Sequence, residues 1–493
     1  MTEPQRADSA SANQDERTLA TLGYSQQLLR RMGGFSSFAI SFSIICILAG
    51  CLTSFHLGFS SVGGAAIGVG WPLCCMLSLA CALTMAQVAS AFPTAGALYH
   101  WSSILGGKGW GWLTAWLNIL GLVTVLAAIN VGTYQFAKGS LGPALGVDTD
   151  ALGLGAQMLG IAGITLSQAL FNHLGIRITT WLTDLSGYLI LVVALVLTVA
   201  MLAYAPAIDL ARLWTFTNYS GPAGGGVWPR SESMPLLFLL GFLLPAYTVT
   251  GFDAPAHTSE ETVDAARAAP RGIVSSVLIS GLFGWIMLSA IVLAIPDMAS
   301  TAAAGDKAFY SIFDTLLPRT LGLCLYVGIV VAQYLCGLAT VTSASRVVFA
   351  FARDGGLPLS SQLARVSTHY KTPVTAIWTV AALVIAFTLY TPVYSTITAV
   401  CVIFLYISYV IPTFLGLLAY RRSWQRMGPF DLRSWYRVLA AISVLGCLLI
   451  IGVAVQPPNE KALWIMLGAL GLALAVWFGF ERRRFKGPPQ IDA

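Results

Sequence analysis

The chain contains two long stretches without any Asp, Glu, Lys or Arg. None of these residues occurs between Arg31 and Lys108, a run of 76 residues, and a second run extends from Lys108 to Lys138. About 20 consecutive apolar residues suffice to cross the hydrocarbon core of a bilayer. Each stretch is therefore long enough for at least one membrane-spanning helix, and the chain is predicted to be an all-α integral membrane protein.

Composition agrees with this prediction. Charged residues make up 10% of the 493 residues and hydrophobic residues 57%, whereas a soluble domain carries about 25% charged residues. All nine cysteines fall inside apolar segments and none has a CxxC spacing. We therefore expect free thiols that pack as small apolar groups, with neither disulfides nor a bound metal.

Alternation of apolar runs with charged breaks predicts about twelve transmembrane helices. The weakest boundary lies between the ninth and the tenth, where only Thr391-Pro392 separates two apolar runs. The predicted spans are 35–58, 65–91, 110–137, 152–172, 178–204, 235–258, 272–295, 319–345, 373–391, 394–420, 438–456 and 462–480.

The distribution of basic residues predicts the orientation. If both termini are cytoplasmic, 21 of the 27 Lys and Arg residues fall on the cytoplasmic side, which is the bias that membrane insertion produces. The net charge of +6 then reflects topology and contact with anionic lipid rather than nucleic-acid binding. Residues 1–22 are predicted to be a disordered cytoplasmic tail, 23–32 a short basic helix at the membrane surface, and 481–493 a basic cytoplasmic tail.

Two of the predicted spans contain helix-breaking residues at matching positions. The first has Gly50 near its centre, and the sixth has Pro245, Gly251 and Pro255 around Asp253. Paired interrupted helices indicate an inverted-repeat transporter, in which the freed backbone groups bind substrate or ions. For Gly50 alone, the alternative is close helix packing, a common use of glycine in membranes.

The paired breaks divide the first ten spans into five plus five. The predicted organisation is a first five-helix repeat over 23–204, an external loop over 205–234, a second, inverted five-helix repeat over 235–420, and two extra helices over 421–480.

Four segments resemble the amino acid–polyamine–organocation superfamily. They are QVASAFPTAGALYHW (87–101), GFDAPAHTSEET (251–262), TSASRVVFAFARDGGLP (342–358) and, for the branch of amino acid and choline transporters that includes GABA permeases, GYSQQLLRRMGGFSSFAISFS (23–43). The resemblance implies a leucine-transporter-like fold, with substrate held at mid-membrane against the breaks of spans one and six. By position it implies the substrate-binding residues Ala49, Gly50, Cys51, Leu52, Thr53, Tyr247, Thr248, Thr250, Gly251, Phe252 and Asp253. Apart from the resemblance, Tyr334 with Tyr247 and Phe252 is a candidate pocket wall for an amine by cation–π contact, and the alternative is plain packing.

The sequence departs from the superfamily pattern at three places. The first span reads AGCLT where many relatives that bind amino acids have a glycine triplet, and Gln87 stands where relatives often have Glu. Span five lacks the lysine that replaces sodium in some proton-coupled relatives. The missing glycine triplet weakens an assignment to α-amino acids and leaves GABA, choline and polyamines open. Gln87 removes any role for a charge at its position, and the missing lysine argues against that mechanism of proton coupling.

Several residues are candidates for the coupling cation, which the sequence leaves open between H⁺ and Na⁺. Asp253 beside the break and Asp184 inside span five are protonatable groups in the membrane, where acids are costly and usually functional. Their alternatives are a helix cap for Asp253 and a pair with Arg177 for Asp184. Thr342 and Ser343, with carbonyls near Ala49, resemble a sodium site of this fold, although hydroxyls in membrane helices more often bond the backbone.

Charged residues after spans six and eight are candidates for an inner gate of ion pairs. They are Glu260, Glu261, Arg267, Arg271, Arg346, Arg353 and Asp354. The alternative is a solvated loop face, the usual role of a charge run. His257 lies one helical turn after Asp253 and is a candidate pH-sensing residue.

These features together predict a secondary transporter in a plasma membrane, such as a bacterial inner membrane. We expect cation-coupled uptake of an amino acid or related amine, GABA foremost, by alternating access, without a cofactor and as a monomer or homodimer. The alternatives are transport of choline, a polyamine or another organocation, and a nutrient-sensing receptor. Neither a phosphate-binding GxxxxGK[ST] loop nor a clustered catalytic set is present in the sequence, so we do not expect an enzyme.

Overall fold

The computed structural model describes residues 14–149, 151–221, 227–391 and 393–489. Within these ranges the chain forms helices and turns, with two isolated β-bridges. Ten helical segments are long and apolar enough to cross a membrane, and two shorter apolar ones, Met234–Thr248 and Val374–Tyr390, complete a set of twelve. The predicted all-α membrane fold is confirmed.

The spans follow the predicted order closely. Span nine ends at Tyr390 and span ten begins at Tyr394, as expected from the weak boundary between them. The continuous spans are span two (Trp71–Ala91), three (Lys108–Leu141), four (Leu154–His173), five (Ile176–Ala203), seven (Ala265–Ala294), eight (Arg319–Arg353), nine (Val374–Tyr390), ten (Tyr394–Ala419), eleven (Trp435–Ala454) and twelve (Glu460–Val476, continued to Arg484).

The first span is interrupted, but not at Gly50. It consists of the helices Gly34–Ile45, Ile47–Thr53 and Phe55–Val62. The first interruption is at Cys46, whose φ of 30° is left-handed, a conformation that L-residues seldom adopt. Gly50 is helical, because the break is set by the backbone at Cys46, a residue that carries no helix-breaking signal in sequence.

The sixth span is interrupted where the sequence predicts. The helices Met234–Leu240 and Leu243–Thr248 are followed by an unwound linker and the short helix Ala254–His257. Gly251 in the linker has a φ of 80°, which glycine adopts without steric cost. A Cβ atom there would also lie 2.3 Å from Ile44 Cγ2, so the two broken spans approach each other closely at this position.

The spans differ in how much of their surface other spans cover. The most apolar windows of spans one and three are each 83% buried and that of span ten is 78% buried, whereas none of the window of span twelve is buried. Spans one, three and ten therefore form the centre of the bundle, and span twelve lies at its periphery, where lipid or another protein covers it.

The first and the last described segments of the chain lie on one side of the bundle, which we call the terminal side. Gly23 lies against Pro489, and Arg426 donates to Thr21. Because the number of spans is even, the connections after even-numbered spans share this side, and those after odd-numbered spans share the opposite side.

The N-terminal segment differs from the prediction. Residues 14–21 form a helix whose Leu19 is buried together with Leu22, so this part of the predicted tail is ordered. Residues 23–32 are not helical. They lie along the chain after span six, where Met32 pairs with Thr262 in a β-bridge. The rest of the predicted tail (1–13), part of the external loop (222–226) and the chain end (490–493) lie outside the described residues.

Candidate functional site

The helix after the break at Cys46, Ile47–Thr53, is in direct contact with the helix before the linker of span six, Leu243–Thr248. A Cβ atom on Gly50 would lie 2.6 Å from Oγ1 and 2.8 Å from Cα of Thr248. Gly50 therefore permits close packing of spans one and six, which is the alternative that the sequence left open for it. Ala49, Cys51, Leu52 and Thr248 are buried around this contact.

Thr53 and Tyr247 are connected through a residue that sequence reasoning missed. Tyr394, at the start of span ten, places its hydroxyl 2.7 Å from Thr53 Oγ1 and 3.1 Å from Ser54 Oγ. Its ring lies 6.1 Å from that of Tyr247, edge to face. Tyr394 thus ties the second interruption of span one, at Ser54, to span ten and to the sixth span.

A cavity of about 340 Å³ opens on the side opposite the termini. Its size is at the lower end of the range for small-molecule sites. One carboxylate, Asp306, and one imidazole, His56, lie in its described wall, and Tyr247 is the wall residue that belongs to the predicted substrate set. The other lining residues are Leu57, Val227, Trp228, Leu243, Ser395, Thr398, Ala399, Val402, Pro458 and Asn459.

Asp253 lies at the end of the unwound linker of span six and is fully buried. Its Oδ1 accepts a hydrogen bond from the Tyr409 hydroxyl at 3.0 Å, and its Oδ2 lies 2.9 Å from His257 Nε2 and 3.4 Å from Asn118 Nδ2. The Tyr409 hydroxyl in turn accepts from the Gly251 amide at 3.0 Å. A buried carboxylate is thereby connected to the backbone of the break.

The neighbouring linker residues have local roles. Thr250 donates back to the Tyr247 carbonyl at 2.8 Å, which satisfies one backbone acceptor at the end of the helix. The Phe252 ring lies 4.8 Å from the ring of Tyr409. Both contacts hold the linker in one conformation beside span ten.

Span eight contributes two polar groups near the break of span one. Cys336 Sγ donates to the Ile44 carbonyl at 3.2 Å, next to the interruption at Cys46. Gln333 is three residues earlier and hence on the same helix face. Its amide is buried, and neither its nitrogen nor its oxygen has a hydrogen-bond partner among the described residues. A buried amide without a partner is costly, so Gln333 is a candidate ligand-binding group.

Tyr334, a candidate for the substrate site, and the sodium candidates Thr342 and Ser343 all lie on span eight. The Tyr334 hydroxyl lies 2.9 Å from Ser167 Oγ on span four. Thr342 donates to Asn172 of the same span at 2.7 Å, and Ser343 Oγ has no hydrogen-bond partner among the described residues. These hydroxyls are not brought together around Ala49 by any hydrogen bond of the described chain.

Asp184 is half-buried and faces the first span rather than Arg177. Its Oδ2 accepts from Ser36 Oγ at 3.0 Å, and its Oδ1 has no hydrogen-bond partner among the described residues. A carboxylate with one free oxygen retains the capacity to bind a cation or a proton.

Two ion pairs close the terminal side. Glu261 accepts from Nε and Nη2 of Arg346, each at 2.8 Å, and both side chains are fully buried. Glu260 accepts two hydrogen bonds from Arg353, each at 3.0 Å. Both pairs join the chain after span six to span eight, as expected for the predicted gate. Arg267 instead pairs with Asp264 in an exposed position.

The N-terminal segment covers these ion pairs. The Arg353 guanidinium lies 3.7 Å from the centroid of the Tyr24 ring, a cation–π contact. The hydroxyls of Tyr24 and Tyr99 donate to Asp354 at 2.7 and 2.8 Å. Burial raises the pKa of the Asp354 carboxyl above its ordinary value, against the lowering by Arg353 and the two hydroxyls.

Arg30 fastens the same segment to the chain after span six. It donates to the carbonyls of Ser259 and Thr262, and it lies 3.7 Å from Asp15. Asp15 in turn accepts from the amides of Asp264 and Ala265 at the start of span seven. Residues 15–32 therefore form a strap across the terminal side.

Two of the residues that sequence reasoning missed could have been identified from the sequence. Asn118 and Gln333 are amides inside otherwise apolar spans, and intramembrane polar residues are functional candidates by default. Tyr394 and Tyr409 carried no such signal, because aromatic residues are common at interfaces and in packed cores.

Comparison with known proteins identifies the family. A family model described as amino acid permease matches residues 32–477. Amino-acid permease BAT1 of Arabidopsis thaliana is 33% identical, over 95% of each chain. A GABA-specific permease of Saccharomyces cerevisiae is 28% identical over 75% of this chain and 65% of its own, and a putative polyamine transporter of Candida albicans is 26% identical over 96% and 89%.

These relatives are transporters, so the prediction of a multi-pass membrane transporter rather than an enzyme is confirmed, as is the resemblance to the superfamily. The chain belongs to the amino acid permease family.

Proposed function

We propose that the chain takes up a small amino acid or related amine, with GABA as the first candidate, by cation-coupled alternating access. The observation that supports this most is the asymmetry of the bundle. A cavity opens on the side opposite the termini, while two ion pairs and the strap close the terminal side. With the basic terminal side in the cytoplasm, this is an outward-facing arrangement, from which solute enters the cell.

The cavity favours a solute with one positive charge. Its described wall holds a single carboxylate, Asp306, beside the aromatic rings of Trp228 and Tyr247. An ammonium group gains from a carboxylate and from aromatic faces, and a polyamine would bring several ammonium groups to one acid. The GABA-specific relative supports the same choice.

A choline or polyamine transporter is the second candidate, because one relative is named a putative polyamine transporter. Radiolabelled GABA exchange in proteoliposomes tests the two. We expect vesicles loaded with unlabelled GABA to take up labelled GABA, and neutral amino acids to compete more strongly than choline or spermidine.

Three other results would have different meanings. Stronger competition by spermidine or choline would move the substrate to organic cations and contradict the GABA assignment. Absence of exchange for every compound tested, from protein that is monodisperse, would contradict transport itself. Saturable binding without exchange would favour a nutrient-sensing receptor.

A further inference from the structure

We propose that Asp253 and His257 together form the binding site for a coupling proton, and that this site links the break of span six to the gate on the terminal side. The inference deepens the proposed transport function and rests on it. It assigns the coupling ion as H⁺, and it gives the two buried side chains one shared role.

A hydrogen-bond acceptor lies near each ring nitrogen of His257. Nε2 lies 2.9 Å from Asp253 Oδ2, and Nδ1 lies 3.5 Å from the Ala95 carbonyl oxygen. Both neighbours are hydrogen-bond acceptors, and a neutral imidazole has a single N–H to donate. Only an imidazolium can donate to both, so an acceptor is in place at each ring nitrogen for a bound proton.

Asp253 remains satisfied when the proton leaves. Tyr409 donates to its Oδ1, and the Asn118 amide lies within reach of its Oδ2. A buried carboxylate with these donors can stay ionised while His257 alternates between one and two N–H groups. The pair then changes its net charge by one unit at a position that is fully buried.

Tyr409 connects the pair to the unwound linker of span six. The Tyr409 hydroxyl accepts from the Gly251 amide and donates to Asp253. Gly251 belongs to the unwound linker that the family resemblance assigns to substrate binding. A solute that bonds this linker therefore changes the hydrogen-bond partners of the carboxylate that holds the proton.

The pair reaches the gate through one residue, Ala95. The Ala95 carbonyl faces His257, and the Ala95 amide donates to Glu260 Oε1 at 3.1 Å. Glu260 in turn holds Arg353. When the gate opens, Glu260 separates from these partners, water reaches His257, and its proton leaves to the terminal side. Release on that side is what uptake driven by a proton gradient requires.

Other charged groups near the pair are already engaged. Span one contributes no ionisable side chain from Gly34–Ile45, and the arginines that begin span seven lie away from the pair, at its exposed end. The surrounding titratable groups are Glu260 and Glu261, Arg346 and Arg353 of span eight, Tyr409 of span ten, and Tyr24, Tyr99, His100 and Asp354 beside the strap.

The test compares His257→Gln with His173→Gln. His173 ends span four and bonds Trp378 in an exposed position, so its variant controls for loss of a histidine. Proteoliposomes receive an inside-alkaline pH gradient in sodium-free buffer. Accumulation of labelled GABA is measured as a ratio to exchange in the same vesicles, and proton entry is followed with an internal pH dye.

We expect the wild type and His173→Gln to accumulate GABA and to carry protons inward with it. His257→Gln should lose at least tenfold in the ratio of accumulation to exchange, together with the GABA-induced proton entry. An unchanged ratio in His257→Gln would overturn the proposal, as would wild-type accumulation that follows a sodium gradient and ignores pH. If the variant does not fold, the Asp253→Asn variant and the spectra described next decide the matter.

A measurement independent of transport separates this proposal from the function on which it rests. Nitrogen-15 spectra of the five labelled histidines distinguish an imidazolium from a neutral ring. We expect one imidazolium signal at neutral pH that disappears in His257→Gln and becomes a neutral-ring signal in Asp253→Asn. A neutral His257 from pH 7 to pH 5 would overturn the proposal, even if GABA exchange succeeds. Failure of exchange with this imidazolium present would reject only the transported solute.

Discussion

The two ends of the bundle are closed to different degrees and by different chemistry. On the terminal side, buried carboxylates hold arginines in two ion pairs, and a strap lies over them. On the opposite side, a cavity is bordered mainly by neutral and aromatic side chains. Separated charges regain hydration when water enters, so an ion-paired end can open at a modest net cost. The comparison indicates which end is the movable gate in this conformation.

Removing one partner of the buried ion pair is the strongest way to break the comparison. Arg346→Ala leaves Glu261 buried without its partner, and we expect a loss of about 3–5 kcal/mol in stability and of most GABA exchange. Arg267→Ala, which breaks an exposed pair with Asp264, should cost about 0–1 kcal/mol. Thermal unfolding in detergent measures both.

A charge reversal at the same pair separates its electrostatic role from packing. Glu261→Arg combined with Arg346→Glu should be more stable than either single variant. Equal melting temperatures for Arg346→Ala and Arg267→Ala would show that the pair does not hold this end closed.

The contact between the broken spans gives the next largest effect. Gly50→Ala places a methyl group within 2.8 Å of the Thr248 backbone, and overpacking of this kind costs about 1–3 kcal/mol. Gly163→Ala on span four meets no atom within 4 Å and should be neutral or slightly stabilising. Unfolding temperature and GABA exchange are measured for both, and equal behaviour of the two variants would contradict the close approach.

Substitution of Tyr394 tests whether its hydroxyl contributes to solute binding at the open end. Tyr394→Phe keeps the ring but removes the hydroxyl that contacts Thr53 and Ser54, and a lost hydrogen bond of this type costs about 1 kcal/mol. We expect a several-fold weaker apparent affinity for GABA from concentration-dependent uptake. Tyr390→Phe, in which the changed ring is largely exposed, should leave the affinity unchanged. Equal affinities in the two variants would rule out Tyr394 as a link to the cavity.

The smallest expected effect is the pH dependence of stability, which has opposite signs at the two ends. Burial raises the pKa of Asp354 on the terminal side, so the stability it contributes is present at acid pH and lost as pH rises through the folded-state pKa. Hydrogen bonds from Ser300 and Ala299 amides lower the pKa of Asp297 on the opposite side. Its contribution is present above the ordinary carboxyl pKa and lost as pH falls through the lowered value.

Melting temperatures of Asp354→Asn and Asp297→Asn, each compared with the wild type between pH 3 and pH 7, measure these contributions. Relative to the wild type, Asp354→Asn should lose stability towards acid pH, and Asp297→Asn should lose stability towards neutral pH. Slopes of the same sign would contradict the assignment of burial as the dominant cause at Asp354.

The sequence was sufficient for the spans but not for the geometry of the site. Long uncharged runs predict the helices because lipid forces the backbone to satisfy its own hydrogen bonds. The break at Cys46 was missed because Cys46 carries no helix-breaking signal. The contacts beside it, of Gly251 and Cys336 with Ile44, join residues that are distant in sequence. Ion pairs between the charges that flank spans six and eight were predicted, and the structure shows that Glu261 pairs with Arg346.

The strap was missed for a different reason. Residues 14–22 are polar overall, and their few apolar side chains, Leu19 and Leu22, show their role only when the terminal surface is present to bury them. The Asp253–Tyr409 and Asp253–Asn118 contacts likewise join spans that are far apart in the chain. The predicted substrate and coupling residues stay predictions until transport is measured.

The most direct test of alternating access follows both ends at once by distance measurement between spin labels. One pair of labels is placed at Glu16 and Gln362 on the terminal side, and the other at Thr215 and Glu460 on the opposite side. Both pairs are introduced in a Cys324→Ser background, which removes the exposed thiol. When GABA is added at acidic pH, we predict that a longer distance between the labels appears on the terminal side, together with a shorter distance on the opposite side. Two unchanged distance distributions in protein that exchanges GABA would contradict the account.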